Sequence, residues 1–202
     1  MGESGSGSVP LVGLTGGMGA GKSTALAALE RLGAAVLSTD EVVHELYAGE
    51  RLRDAVVERW GEAVAPGGTV DRSAVAERVF ADAEDRAWLE GLLWPMVGER
   101  IGAWLTEVRA RRPAPRAAVV EVPLLFEAGM QDAYDATIAV IAEEGVRRER
   151  AASRGHVLEN ARAARQLSQE DKSRRATFAV RNDGTEAELT ARLSGVLDTL
   201  GG

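Results

Sequence analysis

The chain has 202 residues, enough to bury a core without covalent staples, and no cysteine, which excludes disulfide frameworks, zinc ribbons and thiol nucleophiles. Its two histidines, His44 and His156, leave no multi-histidine metal site, and a formal net charge of −7 repels nucleic acid and anionic membrane, so neither is expected as a partner. No apolar run reaches the roughly 18 residues of a spanning helix and the start does not read as a signal peptide, so a soluble, cytoplasmic protein is expected.

Residues 1–8 (MGESGSGS) read as a flexible lead or an expression remnant. Residues 9–15 form an apolar run that ends in glycines, and Lys22–Arg31 carries leucine and alanine at helical spacing, which predicts strand, turn and helix. A second apolar run at 34–37 is followed by Ser38, Thr39 and Asp40, in front of a helical pattern from Glu41. Residues 41–112 then read as a long, mostly helical insertion, broken at Pro66-Gly67-Gly68 and again at Pro95. The β-branched run at 117–122 has the two-sided apolar character of a buried parallel strand, and Ala136–Ile141 and 177–180 supply two more. Residues 147–175 are Arg-rich and helical in pattern, and Glu186–Leu200 is a closing amphipathic helix. Strands alternating with helices predict an α/β fold, a parallel five-stranded sheet flanked by helices. The division expected is a nucleotide-binding core at 9–40 and 113–202, a helical acceptor-binding insertion at 41–112 and a helical lid at about 147–175.

The chemistry is announced by Gly16-Gly17-Met18-Gly19-Ala20-Gly21-Lys22-Ser23, which matches the phosphate-binding pattern G-x-x-x-x-G-K-[ST]. Glycines let the backbone wrap phosphate oxygens with its N–H groups inward, and the following helix presents its positive end. Gly17, Met18, Gly19, Ala20, Gly21, Lys22, Ser23 and Thr24 are therefore candidate ATP contacts, with Lys22 on the β/γ-phosphates and Ser23 as a Mg²⁺ ligand. The chain has only two lysines, Lys22 and Lys172, so a lysine inside a motif carries weight. The guanine-specifying N-K-x-D is absent, because Asn182-Asp183-Gly184 lacks the lysine, and the chain is short for a motor ATPase. A small-molecule kinase fits what remains.

On the acceptor side Asp40 follows the second strand, where a carboxylate can take the proton of a substrate hydroxyl. The alternative, that Asp40 only caps the helix from Glu41, stands beside it. Glu121 ends a buried strand and reads either as a group with a Mg²⁺-bound water or acceptor as partner, or as a surface-tip glutamate. Glu127, after Pro123-Leu124-Leu125-Phe126, reads as structural or acceptor-binding. Arg147, Arg148, Arg150, Arg154, Arg162 and Arg165 are possible phosphate clamps, with Arg154 favoured because Gly155 offers a hinge; His156 reads as an exposed lid residue.

Taken together, Gly13-Leu14-Thr15-Gly16-Gly17, Thr39-Asp40-Glu41, Trp60-Gly61-Glu62 with Asp71-Arg72, Val79-Phe80, Val122-Pro123-Leu124-Leu125-Phe126-Glu127, Gln166 and Asn182-Asp183-Gly184 resemble the dephospho-CoA kinase family. The resemblance runs from about residue 9 to 200. It implies a P-loop kinase fold and ATP- and Mg²⁺-dependent phosphoryl transfer to a ribose 3′-hydroxyl of a small molecule. It further implies that Asp40 is the catalytic carboxylate, that Arg154 belongs to the lid, and that Asn182 and Gly184 lie near the adenine. Four departures accompany it. Trp94 replaces the usual histidine in Leu93-Trp94-Pro95, Gly98 replaces a basic residue, Glu121 stands where Asp is usual, and Gly155-His156-Val157-Leu158 differs from the usual lid wording. Trp94 and Gly98 exchange positive charge for a flat apolar surface on the acceptor side, which leans the reading toward an uncharged nucleoside acceptor. Dephospho-CoA itself is the alternative, and a nucleotide switch without kinase chemistry is the alternative of another class.

Overall fold

A computed structural model of the protein describes residues 8–152 and 166–201, in two compact units. The first unit, Met1–Ser38 with Leu105–Gly202, is built on a five-stranded parallel sheet. Its strands are β1 (Leu11–Gly16), β2 (Ala35–Ser38), β3 (Ala118–Glu121), β4 (Ala136–Ile141) and β5 (Phe178–Arg181), in the spatial order β2-β3-β1-β4-β5. β1 lies at the centre, where both faces of the sheet are covered, and Val12, Leu14 and Thr15 are wholly buried. The chain leaves β1 for β2 on one side of it and later reaches β4 on the other. That reversal of order places a crevice at the carboxyl ends of the strands. Leu14 of β1 and Ser38 of β2 both sit opposite Glu121 of β3, so β2 and β3 finish level while β1 runs on to Gly16.

Helix α1 (Lys22–Arg31) buries Ala25, Ala28 and Leu29, the one-sided spacing its sequence predicts. They join a core with Val12, Leu14, Ile138 and Val140 of the sheet and with Leu189, Leu193, Val196 and Leu197. These last four belong to the closing helix Glu186–Leu200. Its start is closed by a reciprocal pair: Thr185 Oγ1 accepts from the Glu188 N–H, and Glu188 Oε2 accepts from the Thr185 N–H at 2.8 Å.

The second unit, Thr39–Trp104, is helical. It holds α2 (Thr39–Ala48), α3 (Glu50–Trp60), two short turns at Glu62–Val64 and Pro66–Gly68, α4 (Arg72–Ala81) and most of α5 (Ala83–Ala110). Leu52, Val56, Val64, Val70, Val75, Leu89 and Met96 form its core. Trp60 and Trp88 meet edge to face with ring centres 5.0 Å apart, and Arg59 lies over Trp88 while pairing with Asp85. The turns at 62–68 match the predicted break at Pro66-Gly67-Gly68.

Two local expectations are corrected here. The helix after β2 starts at Thr39 rather than Glu41, because β2 runs into it without a loop, so Asp40 sits within its first turn and not at a cap before it. Pro95 does not break the insertion: α5 continues through it as one 28-residue helix. A proline inside a helix costs about 3 kcal/mol. Leu89 and Met96 bury their side chains in the unit's core on either side of it. At about 1.5–3 kcal/mol for each fully buried side chain, that packing outweighs the break.

Helix α6 (Glu144–Ala152) follows β4, α7 (Gln169–Arg175) precedes β5, and α8 is the closing helix (Glu186–Leu200). Arg154, His156, Arg162 and Arg165 of the expected lid, and the lead at 1–7, lie outside the described residues.

Candidate active site

The phosphate loop spans the turn from β1 to α1, at the carboxyl end of the central strand. Its form depends on backbone that other residues adopt only with strain. Gly19 has φ +73° and Gly21, the residue before α1, has φ +88°. The surroundings restrict the loop further. A Cβ on Gly16 would stand 2.6 Å from the Val140 carbonyl oxygen, and one on Gly17 would stand 3.0 Å from the Arg147 guanidinium. On Gly19 a Cβ would run into the Arg147 carbonyl, and on Gly21 into the Asn182 amide.

Arg147 and Asn182 are the side chains that clasp the loop. Arg147 Nε donates to the Met18 carbonyl at 2.8 Å. Asn182, buried after β5, donates from Nδ2 to the Ala20 carbonyl at 2.9 Å, and its own carbonyl accepts from Arg150 at 3.0 Å. Gln166 Oε1 accepts from the Met18 N–H at 3.2 Å. Of the predicted arginines, Arg147 and Arg150 therefore reach the loop or its support, whereas Arg148 pairs with Glu144 on the exposed face of α6. Lys22 opens α1 and leans back over the loop, its Nζ donating to the Gly17 carbonyl at 3.5 Å; Ser23, next to it, is exposed. Gly184 is exposed beside the start of α8, between Asp183, which accepts from the Glu143 N–H, and the Thr185 cap.

Glu121 is buried, which removes the surface-tip alternative: it lies in β3 between Leu14 of β1 and Ser38 of β2. Both neighbouring strands cover a position that its place at a strand end left open. Glu127 Oε1 accepts from the Leu167 N–H at 2.7 Å and pairs with Lys172 Nζ at 2.9 Å. Its Oε2 is buried with no hydrogen-bond partner among the described residues. Lys172 is wholly buried in α7 and donates also to the Pro123 carbonyl at 3.0 Å and to Thr15 Oγ1 at 3.3 Å. Burial holds its ammonium below the usual lysine range, and the Glu127 carboxylate opposes that shift. No role is assigned to Lys172 by its local pattern. The signal available was its rarity, as one of only two lysines in the chain.

In the second unit, Asp40 is exposed in the first turn of α2, where a carboxylate faces the positive end of the helix. Trp94 and Gly98 are one helical turn apart on α5; Trp94 is 38% exposed and the space around Gly98 is open. No helix among the described residues is long and apolar enough to cross a membrane, and no three of their His, Asp and Glu side chains cluster as a metal site.

The glycine-built loop, with Lys22 at the start of α1, suits nucleotide phosphates, and comparison with known proteins narrows the chemistry. The family model for dephospho-CoA kinase matches residues 10–188. The chain belongs to the dephospho-CoA kinase family. Among its curated relatives, the dephospho-CoA kinase of Deinococcus radiodurans is 37% identical over 94% of this chain and 91% of its own length. That of Thermobifida fusca is 36% identical over 94% of this chain and 95% of its own length. A Thermus thermophilus crystal structure superposes with a TM-score of 0.82 at 31% identity, covering 97% of this chain and all of that one. A dephospho-CoA kinase from Campylobacter jejuni, at 20% identity and a TM-score of 0.62, shares the fold over 95% of this chain and 97% of its own. The chain is thus an ATP-dependent kinase with a parallel P-loop core, as its motifs imply.

Proposed function

We propose that this kinase transfers the γ-phosphoryl group of ATP to the ribose 3′-hydroxyl of dephospho-CoA. What carries the reading is the likeness to relatives named dephospho-CoA kinase, at 36–37% identity over more than nine-tenths of their length. The hydroxyl oxygen attacks the γ-phosphorus in line, ADP leaves, and the hydroxyl proton passes to Asp40. Gly17 to Thr24 hold the triphosphate through backbone N–H groups, with Lys22 on its β/γ-oxygens and Arg154 supplied by the lid. Asn182 and Gly184 border the adenine, and Trp94, Gly98, Glu121 and Glu127 serve the acceptor.

The residues present fit Mg²⁺, a hard cation that prefers oxygen: the Ser23 hydroxyl stands next to Lys22 at the start of α1. When bound, the ion neutralises charge that develops on the phosphate oxygens. Ser23 would hold it.

One observation favours a second acceptor. Trp94 is exposed one helical turn from the open position of Gly98, a flat apolar surface that suits an uncharged nucleoside better than a pyrophosphate. A coupled ADP-release assay with dephospho-CoA beside a panel of nucleosides separates the two. Efficient turnover of dephospho-CoA, at kcat/KM of about 10⁴ M⁻¹s⁻¹ or above, supports the first; nucleoside turnover without it supports the second. Titration with ATP and GTP tests the switch alternative, which requires comparable GTP binding and slow turnover without any acceptor.

A further inference from the structure

The core of the first unit is apolar, yet Lys172 is buried in the same unit with no exposed surface. An ammonium in that position costs several kcal/mol in lost hydration unless its hydrogens are all used. They are: one goes to Glu127 Oε1 at 2.9 Å, one to the Pro123 carbonyl at 3.0 Å and one to Thr15 Oγ1 at 3.3 Å. Thr15 Oγ1 passes its own hydrogen to the same Pro123 carbonyl, which closes a small ring of bonds. An apolar side chain of similar length would fill this volume at lower cost. What it would lack is the power to hold three oxygens from two separate segments in one geometry.

The place of those oxygens gives the arrangement its meaning. Thr15 is the residue directly before Gly16, where the phosphate loop begins. The space beside Gly16 is restricted as well, since a Cβ there would stand 2.6 Å from the Val140 carbonyl oxygen. A shift at Thr15 moves the residue from which the loop departs.

We propose that Lys172 is a positioning residue for nucleotide binding, which fixes Thr15 to Pro123 and Glu127 and so holds the entrance of the phosphate loop in place. This rests on the reading of the loop as the ATP site and not on the identity of the acceptor. Glu127 is then the counter-charge that keeps the ammonium protonated and aimed.

The test compares ATP affinity with melting temperature, since a purely structural pair moves the second and not the first. Lys172→Met alone strands a buried carboxylate and is not diagnostic. Lys172→Met with Glu127→Gln removes both charges and keeps an acceptor for the Leu167 N–H, so it melts near wild type. Thr15→Val leaves the ion pair in place and removes the hydroxyl that bonds both Lys172 and the Pro123 carbonyl. Calorimetric titration with Mg·ATP, without acceptor, should show affinity lowered about tenfold in each, the effect of one bond to a charged group. The triple variant should bind no more weakly than Thr15→Val alone, because Lys172 acts on the loop through Thr15. Wild-type affinity in Thr15→Val overturns the proposal by itself, whatever the double variant does. So does a full further loss on adding the double substitution to Thr15→Val. Failure of dephospho-CoA as a substrate would refute the acceptor reading alone, whereas wild-type protein that binds no ATP would overturn the kinase reading and this one together.

Discussion

Gly21→Ala probes the clasp between the phosphate loop and Asn182. Gly21 has φ +88°, in the left-handed region, where a Cβ costs about 1–2 kcal/mol. The new methyl also lands on the Asn182 amide, which is buried and donates to the Ala20 carbonyl at 2.9 Å. Displacing that amide leaves buried groups unpaired, worth about 1–3 kcal/mol. Loss of glycine's freedom in the unfolded chain returns about 0.4–1 kcal/mol. The net loss is about 1–4.5 kcal/mol. Urea unfolding at equilibrium measures it, and the Asn182→Ala background isolates the clash. There the methyl meets no amide, and Gly21→Ala should cost only about 1 kcal/mol. Equal losses in both backgrounds, or a loss near zero in the wild type, would refute the contact between loop and Asn182 as the cause.

Three further outcomes follow from the site. Lys22→Ala should lower kcat/KM by about a hundredfold or more, because a charge on the β/γ-phosphates is lost, with little change in melting temperature. Asp40→Asn should leave the ATP Kd within about twofold and cut kcat by about 10²–10⁴-fold; unchanged turnover would reduce Asp40 to a structural carboxylate in the first turn of α2. Tyr134 packs against Gly13, and burial pushes its hydroxyl up to about 12 from the ordinary 10. The folded state thus favours the protonated phenol, a contribution present in full below pH 10 and lost as pH rises toward 12. At pH 11 wild type should have lost about 1 kcal/mol more than Tyr134→Phe in urea unfolding, relative to pH 9; parallel losses would show that the phenol is not held in its neutral form.

Much of this protein is written in local sequence. The helices Lys22–Arg31 and Glu186–Leu200 and the strand Ala136–Ile141 have the bounds their periodicity predicts, because the alternation of apolar residues and the caps at each end act over a few neighbours. The phosphate loop is equally local: glycines, a lysine and a serine within eight residues carry the chemistry of the turn and the helix that follows. Tertiary structure decided the rest. Pro95 reads as a helix breaker, and α5 runs through it because the side chains around it are buried in a core assembled from three other elements. Gly17 and Gly19 read as loop glycines, but the contact that crowds a side chain at Gly17 and forbids one at Gly19 comes from Arg147, well over a hundred residues on. Lys172 lies in an Arg-rich stretch whose local pattern assigns it no role, and its partners Thr15, Pro123 and Glu127 arrive from two other strand ends. A buried charge is tolerable only where distant segments bring it acceptors, and no window of neighbouring residues contains that information.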